Sequence, residues 1–302
     1  MEHYYRGQWG KLGSGDGVFK NPFCVAIDSD GNIYVTDTWN NRIQKFTGDG
    51  GFLDKWGEDG IGNGQFHYPY GIAVDSSDEV YVVDSYNDRV QKFTHHGKFI
   101  TTWGSHGTLN GEFDGPGGIA IDSAGYVYIL DTWNNRIQKF TCDGDFLDKW
   151  GSLGTGDGQF DHPYGIAVDS NDDFYVADSY NNRVQKFTHL GEFLAKWGKS
   201  GTEHGQFRHP KGIATFPANS LLVVDSGNER IQEFSKDGEF ITTWGAYGIQ
   251  PGYFNNPTDV AINKSNGAQY ITDTYNQRIQ VFHWESGGLL TPIPNDIEPI
   301  FI

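Results

Sequence analysis

Cysteine and positive charge are both scarce in this chain. Cys24 and Cys142 fall at different points of its repeating pattern, one at the start of a strand and one in an outer turn. A disulfide between them is not expected, which fits a reducing compartment. With 22 Lys and Arg against 39 Asp and Glu, the net charge is −17. A phosphate backbone would be approached against the long-range field, so nucleic acid is disfavoured as a partner. The charge is spread through turns rather than gathered into a tail, as the solubility of a glycine-rich chain requires. No run nears the roughly 18 apolar residues of a membrane span, and the N-terminus lacks the basic and apolar regions of a signal peptide. No membrane role is expected, and the reading is of a cytoplasmic chain or an excised domain. No segment has the length and periodicity of a helix.

What the chain does have is glycine, 41 residues of it, with 15% aromatics, a composition of strands and tight turns. A Trp-Gly pair recurs at Trp9, Trp56, Trp103, Trp150, Trp197 and Trp244, each 47 residues after the last. A unit of that length cannot bury its own apolar face, so it stacks on its neighbours. In the second unit a glycine-punctuated loop, Gly57 to Gly64, leads to Phe66 and Pro69. Four strands are then predicted: Gly71 to Asp75, Val80 to Val83, Arg89 to Phe93 and Lys98 to Trp103. Turns between them make an antiparallel meander. The first strands are nearly continuously apolar, which means cover on both faces and a buried tryptophan ladder.

These residues resemble a known repeat. Phe66-x-x-Pro69-x-Gly71-Ile72-Ala73-Val74-Asp75, followed by Asp84-x-x-Asn87-x-Arg89-Val90-Gln91-Lys92-Phe93, is similar to the NHL repeat. Its Asp-x-x-Asn-x-Arg signature begins at Asp37, Asp84, Asp131, Asp178, Asp225 and Asp273. The resemblance implies an all-β fold, a six-bladed β-propeller of four-stranded antiparallel blades. The N-terminal Tyr5 to Gly10 matches only a fourth strand, and the last unit lacks one. The N-terminal strand is therefore expected to complete the last blade. The expected organisation is one domain over 1–302, with a closing strand at 1–10 and blades near 11–57, 58–104, 105–151, 152–198, 199–245 and 246–284. An extended tail follows over 285–302.

Six copies of an Asp, an Asn and an Arg cannot serve one active site, so they read as scaffold, with the Arg bridging carbonyls or the Asp. The glycine loops precede strands rather than helices, which excludes dinucleotide and P-loop readings. Function is sought where the repeats differ. The residue after the Pro reads Phe23, Tyr70, Gly117, Tyr164, Lys211 and Thr258. Two beyond the connecting Asp stand Trp39, Tyr86, Trp133, Tyr180, Gly227 and Tyr275. Both positions belong to one face and predict an aromatic collar, with Trp39, Tyr70, Tyr86, Trp133, Tyr164, Tyr180 and Tyr275 as ligand-binding candidates, or as packing against neighbouring blades. Part of the alternation is inherited: Asp37 to Thr47 is identical to Asp131 to Thr141, and Tyr70 to Ser76 matches Tyr164 to Ser170. Blades five and six break the pattern, and Lys211 with Asp259 is the candidate catalytic pair or an ion pair at the channel mouth.

Related propellers sharpen the alternatives. Peptidyl-hydroxyglycine amidating lyases hold zinc through histidines directly after the strand-opening Pro, and no histidine stands there in this chain. His67, His162 and His209 precede the Pro instead and can meet only if their loops fold over the axis. Lactonases of the paraoxonase type need a calcium cage of six to eight oxygens, and Asp259 alone offers a carboxylate among these positions. No metal or cofactor is therefore expected. The leading expectation is a noncatalytic, monomeric recognition scaffold for a protein segment or glycan. The alternatives are a lyase or hydrolase centred near Lys211 and Asp259, and a repeat-amplified or engineered scaffold without a selected ligand.

Overall fold

Apolar runs become strands where the pattern places them. The computed structural model describes residues 2–216 and 220–285. In the second unit strands run Pro69–Val74, Val80–Asp84, Arg89–Phe93 and Phe99–Trp103, hydrogen-bonded in that order. The first begins before Gly71 because Pro69 pairs with Asp84, after which a register shift leads to the Ile72–Val82 pair. Second and third strands are buried at almost every position, whereas the outer strands are largely exposed. Six such four-stranded sheets form. Each first strand touches the one on either side, and the sixth touches the first, so the sheets close a six-bladed β-propeller around an axis. Among the described residues no helix is long and apolar enough to cross a membrane.

The core lies between blades, not within them. Ala26, Tyr34 and Ile43 of blade one pack with Phe66, Ile72, Val80, Val82 and Phe93 of blade two, and the pattern recurs around the ring. The Trp ladder belongs to these interfaces. Gly97, in the outer turn of blade two, has φ +72°, and a Cβ there would lie 2.6 Å from the Trp56 ring of blade one. Gly50 meets Trp9, Gly144 meets Trp103 and Gly238 meets Trp197 in the same way. The ladder indoles are partly rather than fully buried, and five of the six are roofed by the next blade's turn. One rung differs. Phe174 occupies the place of Ile33, Val80 and Val127, its ring centre 5.7 Å from that of Trp150. Trp150 turns to lie 20° from the plane of Tyr128, where Trp56 and Trp103 cross Tyr34 and Tyr81 at 72°.

The N-terminal strand, Glu2–Trp9, pairs antiparallel with Arg278–Glu285 and completes the sixth blade. Side chains lock the closure. The buried His3 ring stacks on Trp244 at 3.7 Å. Its Nε2 lies 3.0 Å from the Glu233 carboxylate and its Nδ1 about 3 Å from the Gln269 amide. His3 thus covers the Trp244 rung of blade five, where the sixth blade has no turn between its third and fourth strands to do so. Of the tail expected at 285–302, everything beyond residue 285 lies outside the described residues.

Trp103→Ala is expected to cost about 3 kcal/mol in urea unfolding, the low end for a truncated aromatic because the indole is partly exposed. Deleting residues 1–10 should lower the melting temperature and produce oligomers by size-exclusion chromatography, since it opens the sixth blade's edge and uncovers Trp244. A monomer of unchanged stability would contradict the closure.

Candidate functional site: an aromatic collar over an axial cavity

The connection between second and third strands carries the collar, and a buried carboxylate shapes it. Asp84 accepts the His67 backbone N–H at Oδ1, 2.7 Å. Its Oδ2 accepts from the Asn87 amide at 2.9 Å, Arg89 Nε at 2.7 Å and the Gln91 amide at 3.1 Å. Arg89 in turn donates to the carbonyls of Ile61, Gly62 and Gln65 in the entering loop. The same Asp–Arg bond closes at 2.6–2.7 Å in all six blades, with every Asp side chain wholly buried. Burial pushes these carboxyls up, against the hydrogen bonds and the guanidinium that hold them down. All acceptors are engaged, so the repeated set is scaffold.

The turn between Asp84 and Asn87 throws Tyr86 outward. Trp39, Tyr86, Trp133, Tyr180 and Tyr275 are 50–58% exposed at equivalent positions of five blades. They line one face, with Tyr86 set edge-on to Trp133 at 6.3 Å and to Tyr70 at the same distance. Tyr70 and Tyr164 sit deeper: Tyr70 stacks on Phe23 at 4.5 Å, and Tyr164 lies 6.3 Å from it. Burial raises the phenol pKa of both. Blade five leaves a gap in the outer ring, because Gly227 stands where a Cβ would meet the Arg208 stem at 2.6 Å.

Beneath the collar the first strands enclose an axial cavity of about 110 Å³. Phe23, Tyr164, Lys211 and Thr258 line its mouth, and Val25, Ile72, Ile119, Ile166, Ile213 and Val260 its lower wall. Between these layers stand Cys24, Gly71, Gly118, Gly165, Gly212 and Asp259. The glycines are compulsory, since a Cβ at Gly71, Gly118 or Gly165 would come within 1.9–2.5 Å of the next blade's carbonyl oxygen. Blades one and six break the rule together. Cys24 Sγ donates to Asp259 Oδ2 at 2.7 Å, and the Val25 N–H donates to the same oxygen at 3.0 Å. In just these blades the aliphatic residue of the second strand (Val83, Leu130, Ala177 and Val224 elsewhere) becomes Thr36 or Thr272. Their hydroxyls accept the backbone N–H of Cys24 and of Asp259, each at 2.8 Å.

Lys211 and Asp259 do not pair: no ion pair joins them among the described residues. Lys211 Nζ donates to Asn256 Oδ1 at 3.2 Å and lies 5.7 Å from the centre of the Phe23 ring. Burial lowers its pKa to about 8, opposed by the charge of Glu229. Glu229 is occupied by the Asn256 N–H at 2.5 Å. Asp259 is pushed up to about 6 by burial, against the hydrogen bonds it receives. Desolvation and the neighbouring carboxylate raise the Cys24 thiol, which keeps its proton.

Six segments match the NHL repeat: 19–46, 66–93, 113–140, 160–187, 207–234 and 254–282. The chain belongs to the NHL-repeat family. One stretch of 47 residues, 16% of this chain, is 45% identical to protein lin-41 of Caenorhabditis elegans, of whose length it covers 4%. Among solved structures this NHL propeller is similar to virginiamycin B lyase from Staphylococcus aureus, at 16% identity and a TM-score of 0.63, over 94% of this chain and 99% of that one. It is also similar to a gluconolactonase from Xanthomonas campestris, at 11% identity and 0.65, over 88% and 86%. Likeness at such identity speaks for the fold.

Within the NHL frame the three histidines form no common ligand group among the described residues. His67 pairs with Asp59 at 3.0 Å, His162 pairs with Asp161 at 2.7 Å and stacks on Tyr180, and His209 meets the edge of Tyr180. A different group converges, which sequence reasoning missed: Asp88, His106 and Asp114 bring one ligand atom each within 4.8 Å of one another. The signal was that only this junction carries Asp, His and Asp at its three repeat positions. His106 is largely exposed, and Asp88 Oδ1 already accepts the Gly115 N–H.

The raised pKa of Asp259 makes a signed prediction. Its folded value of about 6 exceeds the ordinary carboxyl value of 3.8, so its contribution to stability is present below pH 3.8 and is lost as pH rises through 6. The loss is about 3 kcal/mol. Asp259→Asn should therefore gain stability relative to the wild type between pH 4 and 6, measured by denaturant unfolding across that range. Parallel pH profiles for the two proteins would refute the assignment.

Proposed function

We propose that this NHL propeller is a recognition scaffold that binds an extended segment of a polymer, peptide or glycan, across the collar face. The observation that carries the reading is five half-exposed aromatics at equivalent positions of one face, while the repeated positions of Trp56, Phe66 and Phe93 pack between blades. Broad rigid rings give contact area at low entropic cost and dominate binding energy where they cluster. The repeated ionic groups are internally committed, which leaves the collar and the cavity beneath it to meet a ligand.

A second reading, a lyase or hydrolase, draws on the cavity with Lys211 and Asp259 on its wall. It has less behind it, because the two groups do not face one another and Asp259 is bonded to a protonated thiol.

Peptide and glycan arrays probed with the purified chain test the main reading. Trp39→Ala with Trp133→Ala should weaken every captured ligand by about tenfold or more, while unfolding stability moves by no more than about 0.5 kcal/mol per exposed site. Capture that survives both substitutions would remove the collar from function.

A further inference from the structure

Charge and space on the collar face are not uniform. The outer aromatic ring lacks a member at blade five, where the stem of the exposed Arg208 packs against Gly227. In the same blade Lys211 lines the cavity mouth. Its ammonium has three N–H donors, and among the described residues its one hydrogen bond goes to Asn256. It also lies 5.7 Å from the centre of the Phe23 ring, and the charge of Glu229 acts on it. An ammonium drawn from water without its full set of acceptors is costly, and an entering anion would repay that cost. The copied blades serve as an internal control: Phe23, Tyr70, Gly117, Tyr164 and Thr258 fill the equivalent positions, so blade five alone carries a cation at this depth.

We infer that the axial cavity is a carboxylate receptor, in which Lys211 seats the acidic side chain or the C-terminal carboxylate of a peptide lying across the collar. The inference rests on the recognition reading and names the group that is recognised. A peptide fits better than a glycan because Lys211 lies below the rim. The carboxylate must reach it on a slim arm, which Asp, Glu or a chain end provides, whereas the carboxylate of a uronic acid is fixed directly to its ring. Other titratable groups are accounted for. Glu229 is held by the Asn256 N–H, Asp259 is turned to Cys24 and Val25, and Tyr70 and Tyr164 keep their protons. An incoming carboxylate meets the cation of Arg208 at the entrance and that of Lys211 inside it, with the charge of Glu229 beside Lys211 opposing it.

The test uses the full chain and four blocked tripeptides: Gly-Glu-Gly and Gly-Gln-Gly capped at both ends, and triglycine acetylated with either a free or an amidated C-terminus. Galacturonic acid is the fifth probe, and binding is followed by chemical-shift titration. The Glu peptide and the free C-terminus are expected to bind, each showing which source of carboxylate is accepted. Their neutral partners and the uronic acid should be at least about tenfold weaker. Lys211→Gln should abolish the difference, and affinity for the Glu peptide should fall as pH rises through 8, because Lys211 loses its proton there. Equal binding of Glu and Gln peptides, tighter binding of the uronic acid, or indifference to Lys211→Gln would overturn the proposal. Should that variant fail to fold, a pH-independent affinity of the native chain between pH 7 and 9 does the same. Trp133→Ala separates the two readings: loss of array binding with retained Glu-peptide binding supports both, and retained array binding sinks the collar alone.

Discussion

A buried carboxylate that has no spare acceptor sets the terms for the rest of this molecule. In each blade the connecting Asp gathers a backbone N–H, an Asn amide, an Arg guanidinium and a Gln amide, while the Arg reaches on to three carbonyls of the entering loop. Such a pair adds little net stability over an apolar substitute, yet removing one partner costs about 3–5 kcal/mol because a charge is left stranded. Its value is geometric. It ties the loop that enters a blade to the connection at its far side and so aims the exposed ring beside it. The most chemical-looking residues of the sequence are the ones least able to do chemistry.

The second constraint is closeness. Blades approach along the axis until the neighbouring carbonyl excludes any side chain at Gly71, Gly118 and Gly165, and along the rim until an indole fills the place of a Cβ at Gly50, Gly97 and Gly144. A ring assembled this tightly tolerates a side chain on the axis only with compensation. Cys24 and Asp259 have it: they satisfy one another, and Thr36 and Thr272 take up the amide hydrogens beside them. Four changes in two blades thus form one arrangement.

Much of this is legible in the sequence. The 47-residue period, the apolar second strands and the Asp-x-x-Asn-x-Arg register predicted the number of blades and the completion of the last by Glu2–Trp9. These are local patterns copied six times, and repetition averages out local ambiguity. What stayed hidden depends on contacts that repetition does not encode. Cys24 meets Asp259 across 235 positions of chain because the ring closes between blades one and six. Asp259 and Lys211 look paired in sequence because their blades adjoin, but strand alternation sends them to different partners. The ladder indoles looked like deep core, and the glycine turns that roof them were visible only as turn residues. His3, within the closing strand, gave no sign that it would cap Trp244.

The closing strand also has a consequence in time. The propeller's first strand pairs with its last, so residues 2–9 wait through the synthesis of five blades before their hydrogen-bond partners exist. Until then an eight-residue strand with an unpaired edge trails from a growing array, and the contact that completes the molecule has the greatest sequence separation in it. Long-range pairing of this kind is slow and exposes edges to other chains. Early blades can assemble one upon another during translation, but the ring becomes a ring in a single late event, and the nascent chain is most vulnerable to association with its own copies just before that event.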